Sequence, residues 1–176
     1  MAGTKLIVID RTLLAGSAKI GFVAKDTAGG ITKGSGLDPA QIGVAFDLSY
    51  VNGATAGGFT LPLGASDGTS GWVANRPSVA KFVNRSAPSG PTSAKIGVIK
   101  PGKLLKLVGK SLGDTPLDVM GAGDPGVDGV RTVFAITNGG STFRHCSLFA
   151  SCVFKPIGAG TGAKLVCRPG APTACP

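Results

Sequence analysis

Apolar and polar positions alternate with a period of two over much of this chain, in β-branched runs set between Gly, Pro, Asn and Asp. The sharpest case begins at Val44, where Val44, Phe46, Leu48 and Tyr50 fall on one face and Ala45, Asp47 and Ser49 on the other. Successive side chains of a strand point to opposite faces, so this spacing predicts a half-buried strand. Asn52-Gly53 follows it and predicts a type I′ hairpin turn, whose two central residues both need positive φ, with Phe59 to Leu63 as the returning strand. Val130, Thr132, Phe134 and Ile136 repeat the alternation against Arg131, Val133 and Ala135, and Asn138-Gly139 offers a second turn of the same kind. Shorter strands are expected at Leu6 to Ile9, Ala18 to Lys25, Trp72-Val73 and Val79 to Val83.

Ala94 to Leu112 (AKIGVIKPGKLLKLVGKSL) carries five lysines, Lys95, Lys100, Lys103, Lys106 and Lys110. Leu104, Leu105, Val108 and Leu112 stand at helical spacing. Two strands folded back on Pro101-Gly102 are the better reading, because Gly109 interrupts a helix and Ile96 to Ile99 is β-branched. Leu105 and Leu107 then fill the core while Lys106 and Lys110 keep the outer face wet. Ser86 to Ser93 reads as a surface loop, and Gly113 to Gly129, with four aspartates, as a longer one. Ala18-Lys19-Ile20-Gly21 recurs as Ala94-Lys95-Ile96-Gly97, a short likeness that raises the question of two related halves.

The four cysteines, Cys146, Cys152, Cys167 and Cys175, lie close to the C-terminal end, without the paired spacing of a zinc site. An even count favours disulfides in an oxidising compartment. Pairing Cys152 to Pro156 with Ala163 to Cys167 sets Cys152 opposite Cys167, Val153 opposite Val166 and Phe154 opposite Leu165. Cys146 is then left for Cys175. The local alternative joins Cys146 to Cys152 and Cys167 to Cys175. The first register also opposes Lys155 to Lys164, which counts against it.

Composition narrows the class. The chain has 176 residues, 29 of them Gly and 12 Pro, yet 43% are hydrophobic, so it is neither collagen-like nor disordered. Its acids number nine, all Asp, and a chain without Glu is unsuited to long helices. These features predict an all-β protein: one antiparallel β-sandwich over 1–176, jelly-roll or Greek-key-like, with about 10–12 short strands. The disulfide-bearing part would be 142–176. No apolar run is long enough for a membrane span, and Met1-Ala2-Gly3-Thr4 lacks the plan of a signal peptide, which suggests a mature numbering behind an added Met.

With 18 Lys and Arg against nine acids, the net charge is +9, and an anionic partner is implied. The five lysines of 94–112, with Trp72 and Tyr50, are the candidate surface for an anionic polymer or glycan. A specific nucleic-acid module is not expected, since aromatics make up only 6% and the cations are mostly lysines. Catalytic equipment is sparse. Gly64-Ala65-Ser66-Asp67-Gly68 matches the nucleophile-elbow pattern, and Ser66, Asp118 and His145 follow in hydrolase order. The elbow needs a buried strand before it and a helix after it, whereas Ser66 sits in a Gly- and Ser-rich loop. Asp114, Asp118, Asp124 and Asp128 supply the oxygen ligands Ca²⁺ prefers but lack an EF-hand frame. No cofactor is otherwise implied.

KPGKLLKLVGKSLGD, FRHCSLFASCVFK and the closing GAKLVCRPG with TACP resemble glycine-rich, cysteine-closed β modules of secreted bacterial proteins. The resemblance implies a secreted location and a β architecture, and carries no catalytic residues. The functional expectation is a secreted or surface-attached structural or adhesive subunit that assembles through its edge strands. A binding module for an anionic polymer or carbohydrate is the second reading and a small serine hydrolase the third.

Overall fold

A computed structural model describes residues 1–11, 19–26, 37–76, 79–85, 94–110 and 117–176. Thirteen strands and one short helix run in the order β1 (Ala2–Asp10), β2 (Lys19–Lys25), β3 (Gly43–Tyr50), β4 (Thr55–Leu61), β5 (Ser70–Arg76), β6 (Val79–Asn84), β7 (Ala94–Lys100), β8 (Leu104–Lys110), α1 (Val119–Ala122), β9 (Val130–Asn138), β10 (Ser141–Phe149), β11 (Cys152–Ile157), β12 (Gly162–Cys167) and β13 (Ala171–Thr173). All the ladders are antiparallel. They form an eight-stranded sheet, β11-β12-β1-β2-β8-β7-β6-β5, and a five-stranded sheet, β13-β10-β9-β3-β4. The antiparallel sandwich expected from the alternation is therefore present. β13, three residues around Pro172, is too short to leave a periodic signal.

The apolar faces meet in one core. Phe22 on β2 reaches across to Phe46 on β3, Phe134 on β9 and Phe149 on β10, at ring-centroid distances of 5.2, 6.1 and 6.4 Å. Trp72 packs on Phe82 beneath β5 and β6, and its indole N–H donates to the Pro62 carbonyl. Of the expected Asp-rich loop, Leu117 and Val119 are buried, so this segment helps to close the sandwich. A polar composition concealed two core residues.

The turns follow glycine. In β7–β8, Lys103 N donates to Lys100 O, with Pro101 and Gly102 (φ 67°) at the centre, where a type II turn favours Pro first and needs a positive φ second. The Asp26 carboxylate accepts from Gly102 N at 2.7 Å and braces this turn from the end of β2. The two expected I′ turns differ in detail. Asn52 does not have positive φ; Gly53 alone does, its N–H donating to Tyr50 O, so the β3–β4 turn is a longer loop with a bulge at Ser49. In β9–β10 the central pair is Gly139-Gly140, one residue beyond the expected site, and both have positive φ.

The repeated tetrapeptide has no structural equivalence: Ile20 faces the core and is 2% exposed, whereas Ile96 faces outward beside Val108. The C-terminal register is the expected one, with Cys152 opposite Cys167 and Lys155 opposite Lys164. Cys152–Cys167 and Cys146–Cys175 are the disulfides, and the local alternative does not form. The 86–93 loop lies outside the described residues.

Candidate functional site

The eight-stranded sheet buries one face and, among the described residues, leaves the other uncovered. Its ladders fix which residues share that outer face. One apolar row crosses it: Val153 pairs with Val166, Val166 with Ile7, Ile7 with Gly21, Gly21 with Val108, Val108 with Ile96, and Ile96 with Val83. At about 4.8 Å per strand this row is about 30 Å long. Its side chains are half-exposed, with no second layer over them among the described residues.

Cationic rows flank it. On one side Lys155 faces Lys164, Lys164 faces Ile9, Ile9 faces Lys19, and Lys19 faces Lys110. On the other, Lys5, Lys106 and Lys81 alternate with Val23, Val98 and Val73. Lys25 and Lys100 bracket Leu104 beyond. Asp10 is the one acid in any strand of this sheet, and it points inward, its carboxylate accepting from Met120 N at 3.0 Å. The outer face thus holds nine lysine positions and no carboxylate among the described residues. Lys155 and Lys164 are directly opposed, an arrangement that costs stability in a sheet. The other sheet lacks this character, with Asp47, Arg131 and Arg144 among small residues on its outer side.

At the β11–β12 end the face dips into a depression of about 450 Å³ lined by Ser151, Val153, Lys155, Lys164, Val166 and Arg168. Val153 is 53% exposed there. The Cys152–Cys167 disulfide joins the neighbouring residues of the same two strands, with Cα atoms 4.1 Å apart.

All four sheet edges are blunted. β11 carries Lys155 and Pro156, and β13 is short and contains Pro172. The β4 edge gives its Ala56 carbonyl to Asp118 N, while the Gly64 to Asp67 segment covers β5: Ser66 N donates to Trp72 O, and Trp72 N to Gly64 O. Asp67 holds this segment by accepting from Thr69 N and Ser70 N; those bonds lower its carboxyl below the ordinary 3.8.

The other residues marked by the sequence are placed apart. Ser66 lies on this edge-covering loop, its hydroxyl accepting from Gly68 N. It is therefore not on a strand-to-helix elbow. His145 lies on the core-facing side of β10, paired with Phe134, and its Nε2 is buried with no partner. Burial first, then the Met1 amino group, holds its pKa below the ordinary 6.5, against a pull from Asp26. Asp118 caps α1, accepting from Gly121 N, and Asp124 accepts from Gly126 N. Asp128 is exposed, and no three His, Cys or Asp residues gather as metal ligands among the described residues; Asp114 lies outside them. Trp72 and Tyr50, expected at a ligand surface, are core residues, 1% and 3% exposed. Apolar bulk won over ring chemistry at both. Of the five lysines, Lys100 and Lys106 occupy the basic face and Lys110 holds the register position opposite Lys19; Lys95 is exposed at a bulge and Lys103 in the turn. Lys5, Lys19, Lys25, Lys81, Lys155 and Lys164 join them only through the strand order, which no local spacing reveals.

Fold and face together define an antiparallel β-sandwich closed by two disulfides, with one basic, aliphatic outer sheet face. The chain matches no protein-family model, no curated protein and no solved structure. No helix among the described residues is long and apolar enough to cross a membrane.

Proposed function

We propose that this protein is a non-catalytic, extracellular binding and adhesion module that holds an anionic polymer along the outer face of its eight-stranded sheet. The observation that carries this reading is the acid-free row system, nine lysine positions beside one aliphatic track. A polyanion offsets the repulsion between Lys155 and Lys164, which the free protein bears. The C–H surface of a polymer backbone suits the Val and Ile track. The aromatics of this sheet, Phe22, Trp72, Phe82 and Phe154, pack inward, so base stacking has no platform on the face. Successive strands rotate by roughly 20° in a twisted sheet, so a linear chain can follow all eight strands where a planar membrane cannot. Two disulfides suit an oxidising compartment. Assembly by strand addition, the first expectation from the sequence, would need an open edge, and the blunted edges give it little support.

Retention on immobilised heparin tests the proposal. The protein should bind at low ionic strength and elute as NaCl rises, and Lys81→Glu with Lys106→Glu should elute markedly earlier while keeping the wild-type circular dichroism. Failure to bind at low salt would sink the reading, as would retention that ignores both substitutions.

A further inference from the structure

From the geometry of the β11–β12 hairpin we infer a distinct oxyanion site at one end of the basic face. Lys155, Lys164 and Arg168 hold a phosphate or sulfate group, and Val153 and Val166 receive the carbon skeleton that carries it. This deepens the polyanion reading by naming where, and by which group, the polymer is anchored.

Three cationic residues and Ser151 line a single depression, with no carboxylate among its lining residues. Lys155 and Lys164 stand directly opposed. The repulsion cannot be relieved by a strand slip, because a one-residue shift would turn the lysines into the core and separate Cys152 from Cys167, which the disulfide forbids. A group with more than one anionic oxygen and up to two charges turns this repulsion into attraction toward a shared centre. Arg168 adds a planar fork that matches two oxygens of a tetrahedral oxyanion, and Ser151 adds a neutral donor. The aliphatic floor, with Val153 more than half exposed, favours an ester over the bare ion.

The test is thermal unfolding in inorganic phosphate, or sulfate, against NaCl of equal ionic strength. Both anions stabilise proteins generally, so the readout is the part of the rise in Tm that a hairpin substitution removes. Lys164→Glu should weaken phosphate binding about tenfold or more, a change of at least ~1.4 kcal/mol, and so remove that part. It should also hold or raise Tm in NaCl, because the new carboxylate faces Lys155. An equal phosphate-dependent rise in wild type and Lys164→Glu overturns the site. Amide shifts on adding phosphate should centre on Ser151 and Arg168; shifts elsewhere alone would count against it. Polymer arms separate the sources: heparin, which bears sulfate esters, should lose affinity on Lys164→Glu more than polygalacturonate, which bears only carboxylates, and equal losses would overturn the ester preference. Heparin retention that depends on Lys81 and Lys106, with no Lys164-dependent phosphate effect, removes this site and leaves the broader reading standing. A Lys164-dependent phosphate effect without heparin retention does the reverse.

Discussion

The Tyr50 hydroxyl donates to the Gly123 carbonyl at 3.0 Å, and burial, followed by Asp124, Asp10 and Asp118, pushes its pKa from 10.0 up to about 12. The folded state therefore retains the phenol proton after the unfolded chain has lost it. That contribution is fully present below pH 10 and is lost as pH rises through 12, amounting to roughly 2–3 kcal/mol. Tyr50→Phe should cost about 1 kcal/mol at pH 7 through the lost hydrogen bond. Urea unfolding between pH 7 and 12 should show the wild-type advantage vanish above pH 10 and reverse before pH 12, because the roughly 2–3 kcal/mol lost exceeds the about 1 kcal/mol held at pH 7; a constant difference would contradict the assignment. His145 works in the opposite direction. Its pKa is lowered, so the stability tied to its neutral form is present above 6.5 and is lost as pH falls through the folded value. Its imidazole resonances, followed by NMR, should titrate below 6.5.

β7 and β8 show how an element joins the two faces. Ile99, Leu105 and Leu107 are buried, Lys106 is exposed, and Gly97 turns inward where an added Cβ would come within 2.6 Å of Leu61 and 3.3 Å of Phe82. Gly97→Ala should therefore destabilise by about 1–3 kcal/mol through overpacking, measured by chemical denaturation, and a neutral result would show that Leu61 can move aside. At the other end of the chain, β13 pairs with β10 over three residues, and Cys146–Cys175 closes a separation of 29 residues. Replacing both of these cysteines by alanine should cost about 3–4 kcal/mol and speed amide exchange at Ala171 and Thr173 before any other strand. The hairpin elements were legible from alternation and turn residues. The type of each turn was not, because Asn-Gly is compatible with several loop lengths, and the flanking bulge or extra glycine decides among them.

For the whole molecule, the basic face should make stability depend on salt. Lysine rows that repel one another are relieved as the Debye length shrinks from about 30 Å at 0.01 M to about 8 Å at 0.15 M. Tm should rise over this range of NaCl, and Lys164→Glu should flatten the rise; a fall in Tm with salt would show that attractive ion pairs dominate instead.

Local pattern alone determined a good deal of this protein. Period-two alternation set the strands, the absence of Glu and abundance of Gly set the β class, and the last hairpin offered Cys152 opposite Cys167, while the choice between that pairing and the local one was made only by the fold. Each of these rests on residues adjacent in sequence or joined by one hairpin. The basic face could not be read in this way. Lys164 meets Ile9, and Lys19 meets Lys110, only because β12 returns to β1 and β8 closes onto β2. Such pairings are selected by the cooperative burial of the Phe22, Phe46, Phe134 and Phe149 core, which joins strands from distant parts of the chain. The same burial drew Trp72 and Tyr50 inside. Side-chain alternation tells which residues of a strand share a face; strand order, decided by the packed core, tells which strands share it.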